Sequence, residues 1–242
     1  MFSLFGSKES LLGSDLLQGG TDNHSHVLYG VDDGVRTLDE SLSILSLLEA
    51  AGLRRLWLTP HIMEDVPNAT DDLRQRYLRL KDEEYQGSVE LCLAAEYMMD
   101  NLYRERLSAR DLLLHGEDLV LVETSTVAPP IDLFGTLRRT MTMGYRPLLA
   151  HPERYHYMRE EDYRKLRAMG VLFQLNLPSV IGYYGPHVQA KALDFLGRGW
   201  YEMTGSDCHR ISMVRQHYAE KSLKHKTVAQ LRPLMKEDGD ER

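Results

Sequence analysis

Residues 37–61, "TLDESLSILSLLEAAGLRRLWLTPH", hold one helix followed by one buried strand, and that pairing sets the architecture. Thr37 and Glu40 stand at capping-box spacing, Leu38, Leu42, Leu45 and Leu48 form a helical stripe, and Gly52 supplies the stop. The run "RRLWLTPH" then reads as a buried strand ending on His61. The same alternation recurs along the chain. "VELCLAAEY", "DLVLVETS", "RPLLAHPERY", "VLFQLNLPS" and "WYEMTGSDCH" read as strands, and "IDLFGTLRRTMTMG" and "EEDYRKLRAMG" as helices stopped by Gly144 and Gly170. Strand alternating with helix implies parallel pairing with right-handed crossovers, an α/β fold.

Nearly every strand ends on a ligand-type side chain. His61, Glu96, Glu123, His151 and then Asp207 with His209 close successive strands, and His24 and His26 lie in the opening stretch "DNHSHVLYGVDDG" at residues 22–34. The spacing is roughly 30 residues, one strand and helix per interval, with a double interval before Asp207 that contains the ligand-free strand "FQLN". In a parallel barrel or doubly wound sheet all strand carboxyl ends share one face, so these groups converge there. Singly, each has an ordinary explanation. H-x-H is often a satisfied polar pair, Glu96 could meet an arginine, Glu123 could be answered by Thr124 or a helix N-terminus, and Asp207 could be an N-cap. One metal cluster explains all six strand ends together.

Composition narrows the class. The chain has 242 residues, 43% of them hydrophobic, enough for a full core. A formal net charge of -7 argues against a general phosphate-backbone binder and so against nucleic acid. Two cysteines, Cys92 and Cys208, make no disulfide framework and fit a reducing cytoplasm. Residues 1–20 lack a basic leader and a spanning apolar run and read as a lead-in. Residues 233–242 read as a polar tail, leaving 21–232 as a single domain.

Imidazoles mixed with carboxylates and without thiolate suit manganese, iron or zinc. Five histidines with at least four carboxylates, Asp33 included, exceed the needs of one ion, so two or three are implied. Such a cluster acidifies a water and clamps the oxygens of a group under attack, which is suited to hydrolysis of phosphate esters. Thiolate chemistry is not supported: the arginine expected six residues after a nucleophilic cysteine is replaced by Met98 after Cys92 and Val214 after Cys208. Cys92 reads as strand core and Cys208 as a small residue between two ligands. No G-x-S-x-G elbow appears.

With these motifs in order, the chain resembles the polymerase and histidinol phosphatase (PHP) superfamily, in particular its manganese-dependent protein-tyrosine phosphatases of capsular and exopolysaccharide operons, the CpsB/YwqE-like group. The likeness runs from about Asp22 to about Arg215 and rests on "HSHVLYGVDDG", "LTPH", "AAEYM", "LVETS", "LAHPERY" and "GSDCHR". It implies a distorted (β/α)7 TIM-like barrel with a trinuclear centre. The implied ligands are His24, His26, Asp33 rather than Asp32, His61, Glu96, Glu123, His151, Asp207 and His209, with Glu96 and Glu123 bridging. Arg154 would bind the phosphoryl group and stabilise the transition state, and its ordinary alternative is a surface pair with Glu153. His209 is a candidate proton donor alongside a metal-bound water. Arg210 or Arg215 would supply a further phosphate contact, although the loop after His209 does not align cleanly.

The resemblance also implies manganese foremost, with iron, zinc or magnesium as alternatives, and phosphotyrosines on the tail of a bacterial tyrosine autokinase as substrate. Membrane proximity would come only through that kinase, and homo-oligomerisation is left open. Three other readings are weighed: a small-molecule PHP phosphatase of the histidinol-phosphate type, a non-catalytic regulator docking on the kinase, and an amidohydrolase-like enzyme acting on C–N bonds. Tyr183 and Tyr184 in "GYYGPH" could shape the mouth of the site or pack on the rim.

Overall fold

The helix that opens the reading forms as its residues direct. Thr37 Oγ1 accepts from the Glu40 N–H at 3.3 Å and caps α1 (Leu38–Ala50), while Gly52 takes φ +82° beyond its end. Glu40 does not close the capping box. Its carboxylate accepts from the Ile211 N–H at 3.1 Å, which ties the helix to the loop after His209.

The computed structural model describes residues 8–219 and 222–236. Around α1 lie β1 (Lys8–Ser10), β2 (Thr21–Ser25), β3 (Arg55–Leu58), β4 (His61–Ile62), α2 (Thr70–Arg79), β5 (Glu90–Leu93), β6 (Glu96–Met98), α3 (Asn101–Ala109), β7 (Leu119–Glu123) and α4 (Leu133–Thr142). There follow β8 (Arg146–Ala150), α5 (Glu160–Ala168), β9 (Leu172–Asn176), α6 (Leu177–Val180), α7 (Pro186–Gly197), β10 (Met203–Gly205), β11 (Ser222–Lys224) and α8 (His225–Leu231).

Parallel strands run in the order β10-β9-β8-β7-β6-β4 in one sheet and β2-β3-β5 in a second. Two strands expected to be continuous are each split in two. β3 passes to β4 across Thr59 and Pro60, and β5 to β6 across Ala94 and Ala95. Pro60 has no N–H for a ladder, so regular pairing breaks there. Isolated bonds carry the connection instead: Thr59 N to Ser25 O at 2.8 Å, Ala94 N to Leu58 O at 2.9 Å and Glu96 N to Pro60 O at 3.1 Å. On the other flank, Asp207 N donates to His24 O at 2.8 Å and His26 N to Cys208 O at 3.0 Å. The result is a curled, mixed α/β sheet of parallel strands.

Strand alternation sorts the side chains into two populations. Leu121, Leu148 and Ala150, with Leu172 and Met203, form a small apolar cluster on the inner face. Val120, Val122, Leu149, Phe173 and Leu175, one residue out of phase, join the large core beneath the helices. Glu123, Gln174 and Asn176 share the inner phase, so an apolar floor lies beneath the polar strand ends.

The boundaries drawn from sequence shift at both ends. Residues 8–20, placed in the lead-in, contain β1, which pairs antiparallel with β11, and Leu11, Leu16 and Leu17 are buried in the main core. Residues 1–7 of that lead-in lie outside the described residues. Within the expected tail, Met235 is buried and Thr204 Oγ1 meets its sulfur at 2.8 Å; residues 237–242 lie outside the description. Cys92, expected in the core, is only half-buried on β5. Among the described residues no helix is long and apolar enough to cross a membrane.

Candidate metal centre

The strand ends carry their ligand-type side chains to one place. Glu96, fully buried at the start of β6, is the hub: its Oε2 lies 3.2 Å from His24 Nε2, 3.3 Å from His26 Nε2 and 3.2 Å from His61 Nδ1, and its Oε1 lies 3.1 Å from His151 Nε2. Glu123, at the end of β7, stands 3.2 Å from His61 Nδ1 and 3.6 Å from His151 Nε2. Asp207 Oδ1 stands 3.5 Å from His24 Nε2 and 3.4 Å from His26 Nε2. Asp33 reaches in from the exposed side, its Oδ1 3.6 Å from His61 Nε2 and 3.4 Å from His209 Nε2.

Among the described residues three groups gather donor atoms that all lie within 4.8 Å of one another: His26, Asp33, His61 and His209; His24, His26, Glu96 and Asp207; and His61, Glu96 and Glu123. His151 adjoins them through both glutamates.

Partners on the far side of each ring fix which nitrogen faces inward. Gln174 Nε2 donates to Asn23 O at 3.2 Å, so its Oε1 faces His24 and accepts from Nδ1–H at 2.8 Å. Asp32 Oδ2 accepts from His26 Nδ1–H at 2.7 Å, and Asp207 O accepts from His209 Nδ1–H at 2.8 Å. Neutral rings held this way present their Nε2 lone pairs to the centre. His24 Nε2 and His26 Nε2 then stand 3.1 Å apart, both facing carboxylate oxygens.

Glu96 Oε2 and His61 Nδ1, both buried, make no hydrogen bond of proper geometry despite these short separations. Lone pairs aimed at one point and unanswered by protons are what shared cations satisfy, and the mixed nitrogen and oxygen donors suit a divalent first-row ion.

Where no cation is held, the inward nitrogens take protons instead: burial lowers both rings, yet Glu96 and Asp207 raise His24, and Asp32, Asp207 and Glu96 hold His26 well above an ordinary imidazole. Burial alone would raise Asp207, yet His26, His24 and Arg154 hold it well below the usual carboxylate range. Burial opposes ionisation of Glu96 as well, and His24, His151 and His26 overcome it. Burial, reinforced by Glu96 and Asp207, pushes Glu123 well up. Asp32 is also disfavoured by burial, but His26 and the His61 and Gly34 N–H groups draw it down to about 2.

Backbone geometry shapes the site too. His151 and Asp207 sit at φ +35° and +51°, in the left-handed region. In the "VDDG" turn a Cβ on Gly34 would stand 2.4 Å from His26 O, so only glycine lets Asp32 and Asp33 straddle His26.

Arg154 turns into the site rather than to Glu153. Its Nη1 donates to Asp207 Oδ2 at 2.7 Å, and its guanidinium lies 4.4 Å from the centre of the Tyr184 ring. Glu153 points into the core, where it accepts from the Tyr201 hydroxyl at 3.0 Å and the Asn176 N–H at 3.1 Å. Arg210 is not brought in. Its guanidinium bonds the backbone carbonyls of Gly34 and His209. Arg215 is exposed on the π-helical turn Met213–Tyr218. Burial pushes the Cys208 thiol up to about 12, so no thiolate is available beside the cluster.

Several supporting residues escape a sequence reading. Gln174 and Asn176 belong to the strand read as ligand-free, yet Gln174 holds His24, and Asn176 Nδ2 donates to Asp207 Oδ2 at 2.9 Å. Asp32, passed over in favour of Asp33, orients His26. The inner-face phase of residues 172, 174 and 176 was the available signal. Gln174→Leu is expected to weaken affinity for divalent metal about 10- to 100-fold, because His24 loses the partner that aims it. Calorimetric titration with manganese reads this directly, and an unchanged affinity would remove Gln174 from the site.

The family profile described as "Capsular polysaccharide synthesis, CpsB/CapC" matches residues 20–228. The tyrosine-protein phosphatase CpsB of Streptococcus agalactiae serotype V is 25% identical over 210 residues, covering 82% of this chain and 86% of that protein. The tyrosine-protein phosphatase YwqE of Bacillus subtilis is 25% identical over 213 residues, covering 82% and 81%. A solved structure from work on YwqE of Bacillus subtilis and CpsB of Streptococcus pneumoniae, described there as metal-dependent tyrosine phosphatases, superposes with a TM-score of 0.70 at 22% identity. That superposition covers 86% of this chain and 84% of the other, and establishes the fold in common.

Proposed function

Because the chain belongs to the CpsB/CapC capsular polysaccharide synthesis family, we propose that it is a metal-dependent protein-tyrosine phosphatase, a phosphoric monoester hydrolase. The observation that carries this reading is the convergence of four imidazoles on the buried Glu96 carboxylate, beside a cationic Arg154. The substrate we assign is phosphotyrosine on a bacterial tyrosine kinase that governs polysaccharide synthesis. The setting is the cytoplasm, with membrane contact only through the kinase. We read the strands as seven positions of a distorted (β/α)7 barrel, supported by the backbone bonds that join the end of β2 to the segment after β10.

His24, His26, Asp33, His61, Glu96, Glu123, His151, Asp207 and His209 would hold two or three divalent ions, manganese foremost. Bound there, the ions supply Lewis acidity and a nucleophile at neutral pH. The chain itself does the rest. Arg154, steadied by Asp207 and lying over the Tyr184 ring, offers its fork to phosphoryl oxygens as charge builds on them. Gln174 and Asp32 hold the imidazoles in the ligating tautomer. His209, at 24% side-chain exposure the most accessible of the five rings, has both nitrogens committed, Nδ1–H to Asp207 O and Nε2 toward Asp33, so the proton for the departing phenolate would come from water in the site rather than from this ring.

Elemental analysis of the purified protein, paired with turnover of a phosphotyrosyl peptide and of histidinol phosphate, tests the reading. Two or three transition-metal ions per chain, manganese-stimulated turnover of the peptide and its loss on chelation without unfolding are expected. Preference for histidinol phosphate would move the protein to the small-molecule branch. Retained structure with no turnover of either would make it a regulator.

A further inference from the structure

At the mouth of the metal centre stands an aromatic ring that metal binding and phosphoryl contact leave unused. The cavity, about 270 Å³, includes Glu96, Arg154, Tyr183, Tyr184, Asp207 and Met213 in its lining. Tyr183 is 43% exposed, the one exposed phenylalanine, tyrosine or tryptophan among the described residues. It is uncovered but not loose. Its ring meets Tyr184 edge-on at 4.8 Å and 87°, and His217 at 4.6 Å and 80°. The loop beneath it is bonded from Gly182 N to Ser179 O at 3.1 Å and from Gly185 N to Gly182 O at 3.2 Å.

These contacts form a line that leads out of the site. Asp207 holds Arg154, Arg154 lies on Tyr184, and Tyr184 braces Tyr183. All four line one cavity, so a monoester whose phosphoryl oxygens met Arg154 would have room to lay its leaving group along this line. An aromatic ring braced by two T-shaped contacts yet 43% exposed is suited to stacking a second ring. Met213, whose thioether packs favourably against aromatic edges, lines the same cavity.

We infer that Tyr183 is the wall against which the phenyl ring of the substrate lies, so that it selects aryl over alkyl phosphate monoesters. This deepens the phosphatase reading and rests on it.

Calorimetric binding of phenylphosphonate and of inorganic phosphate to the manganese-loaded protein separates ring recognition from anion recognition without turnover. Tyr183→Ala should weaken phenylphosphonate about 5- to 10-fold and leave phosphate affinity unchanged. Tyr183→Phe, which keeps the ring, should match the wild type for both. Equal affinities for phenylphosphonate in wild type and Tyr183→Ala would overturn the inference. So would parallel loss of both ligands in Tyr183→Ala, since the residue would then only prop Tyr184 and Arg154. Failure of the wild-type protein to bind phosphate at all would strike the phosphatase reading itself.

Discussion

Glu96→Gln should purify folded, bind markedly less metal and turn over phosphotyrosyl peptide at least about 10³-fold more slowly than the wild type. The loss is set no lower than that for removing one oxyanion-hole donor, because this carboxylate stands at the centre of the donor set that would hold the ions. The amide is nearly isosteric, so the core around it need not collapse. Its N–H groups can donate to imidazole nitrogens that now face Glu96 Oε2 at 3.2 to 3.3 Å. The variant satisfies with hydrogen bonds what the native protein leaves for cations. Its metal-free form should therefore melt at or above the temperature of metal-free wild type. Elemental analysis, thermal melts with and without chelator and a phosphotyrosine assay together decide the matter. Near-native metal content with near-native turnover would show that Glu96 is not the hub.

Arg154→Ala should lower kcat/KM about 10²- to 10³-fold, the range found when one preorganised transition-state donor is removed. Metal content should change far less, because Arg154 touches the cluster only through Asp207 Oδ2, which Asn176 Nδ2 also reaches at 2.9 Å. Arg154→Lys restores a positive charge beside Asp207 but not the planar fork, and should recover only part of the loss. Steady-state kinetics of both variants beside elemental analysis makes the comparison. If Arg154→Ala kept more than a tenth of native kcat/KM, the role would pass to another residue.

Much of the donor set could be read from the chain because strand-end polarity is conspicuous. A histidine or glutamate that follows an apolar run, as His61 follows "RRLWLTP" and Glu123 follows "DLVLV", must lie at a buried end and must be answered there. What sets those donors was harder to see. Gln174 is an amide in a strand, chemically unremarkable until its phase places it beside His24. Asp32 and Asp33 are neighbours of one residue type, and only the turn at Gly34 decides that one goes inward to His26 while the other stays exposed.

The fold showed a similar division. The cap at Thr37 and the stop at Gly52 are local and are present in the structure as read. The breaks at Pro60 and at Ala94 depend on neighbouring strands, and an unbroken apolar pattern concealed them. Leu11, Leu16 and Leu17 carried no helical or strand period, because they are buried from turns, and so the opening segment looked detachable.

The two donors held at positive φ, His151 and Asp207, set chemistry against durability. Residues with side chains pay roughly 1–3 kcal/mol for that backbone region, whereas glycine enters it freely. Two places that main-chain geometry alone would give to glycine are thus occupied by side chains the chemistry needs, a burden the scaffold carries for the sake of its work.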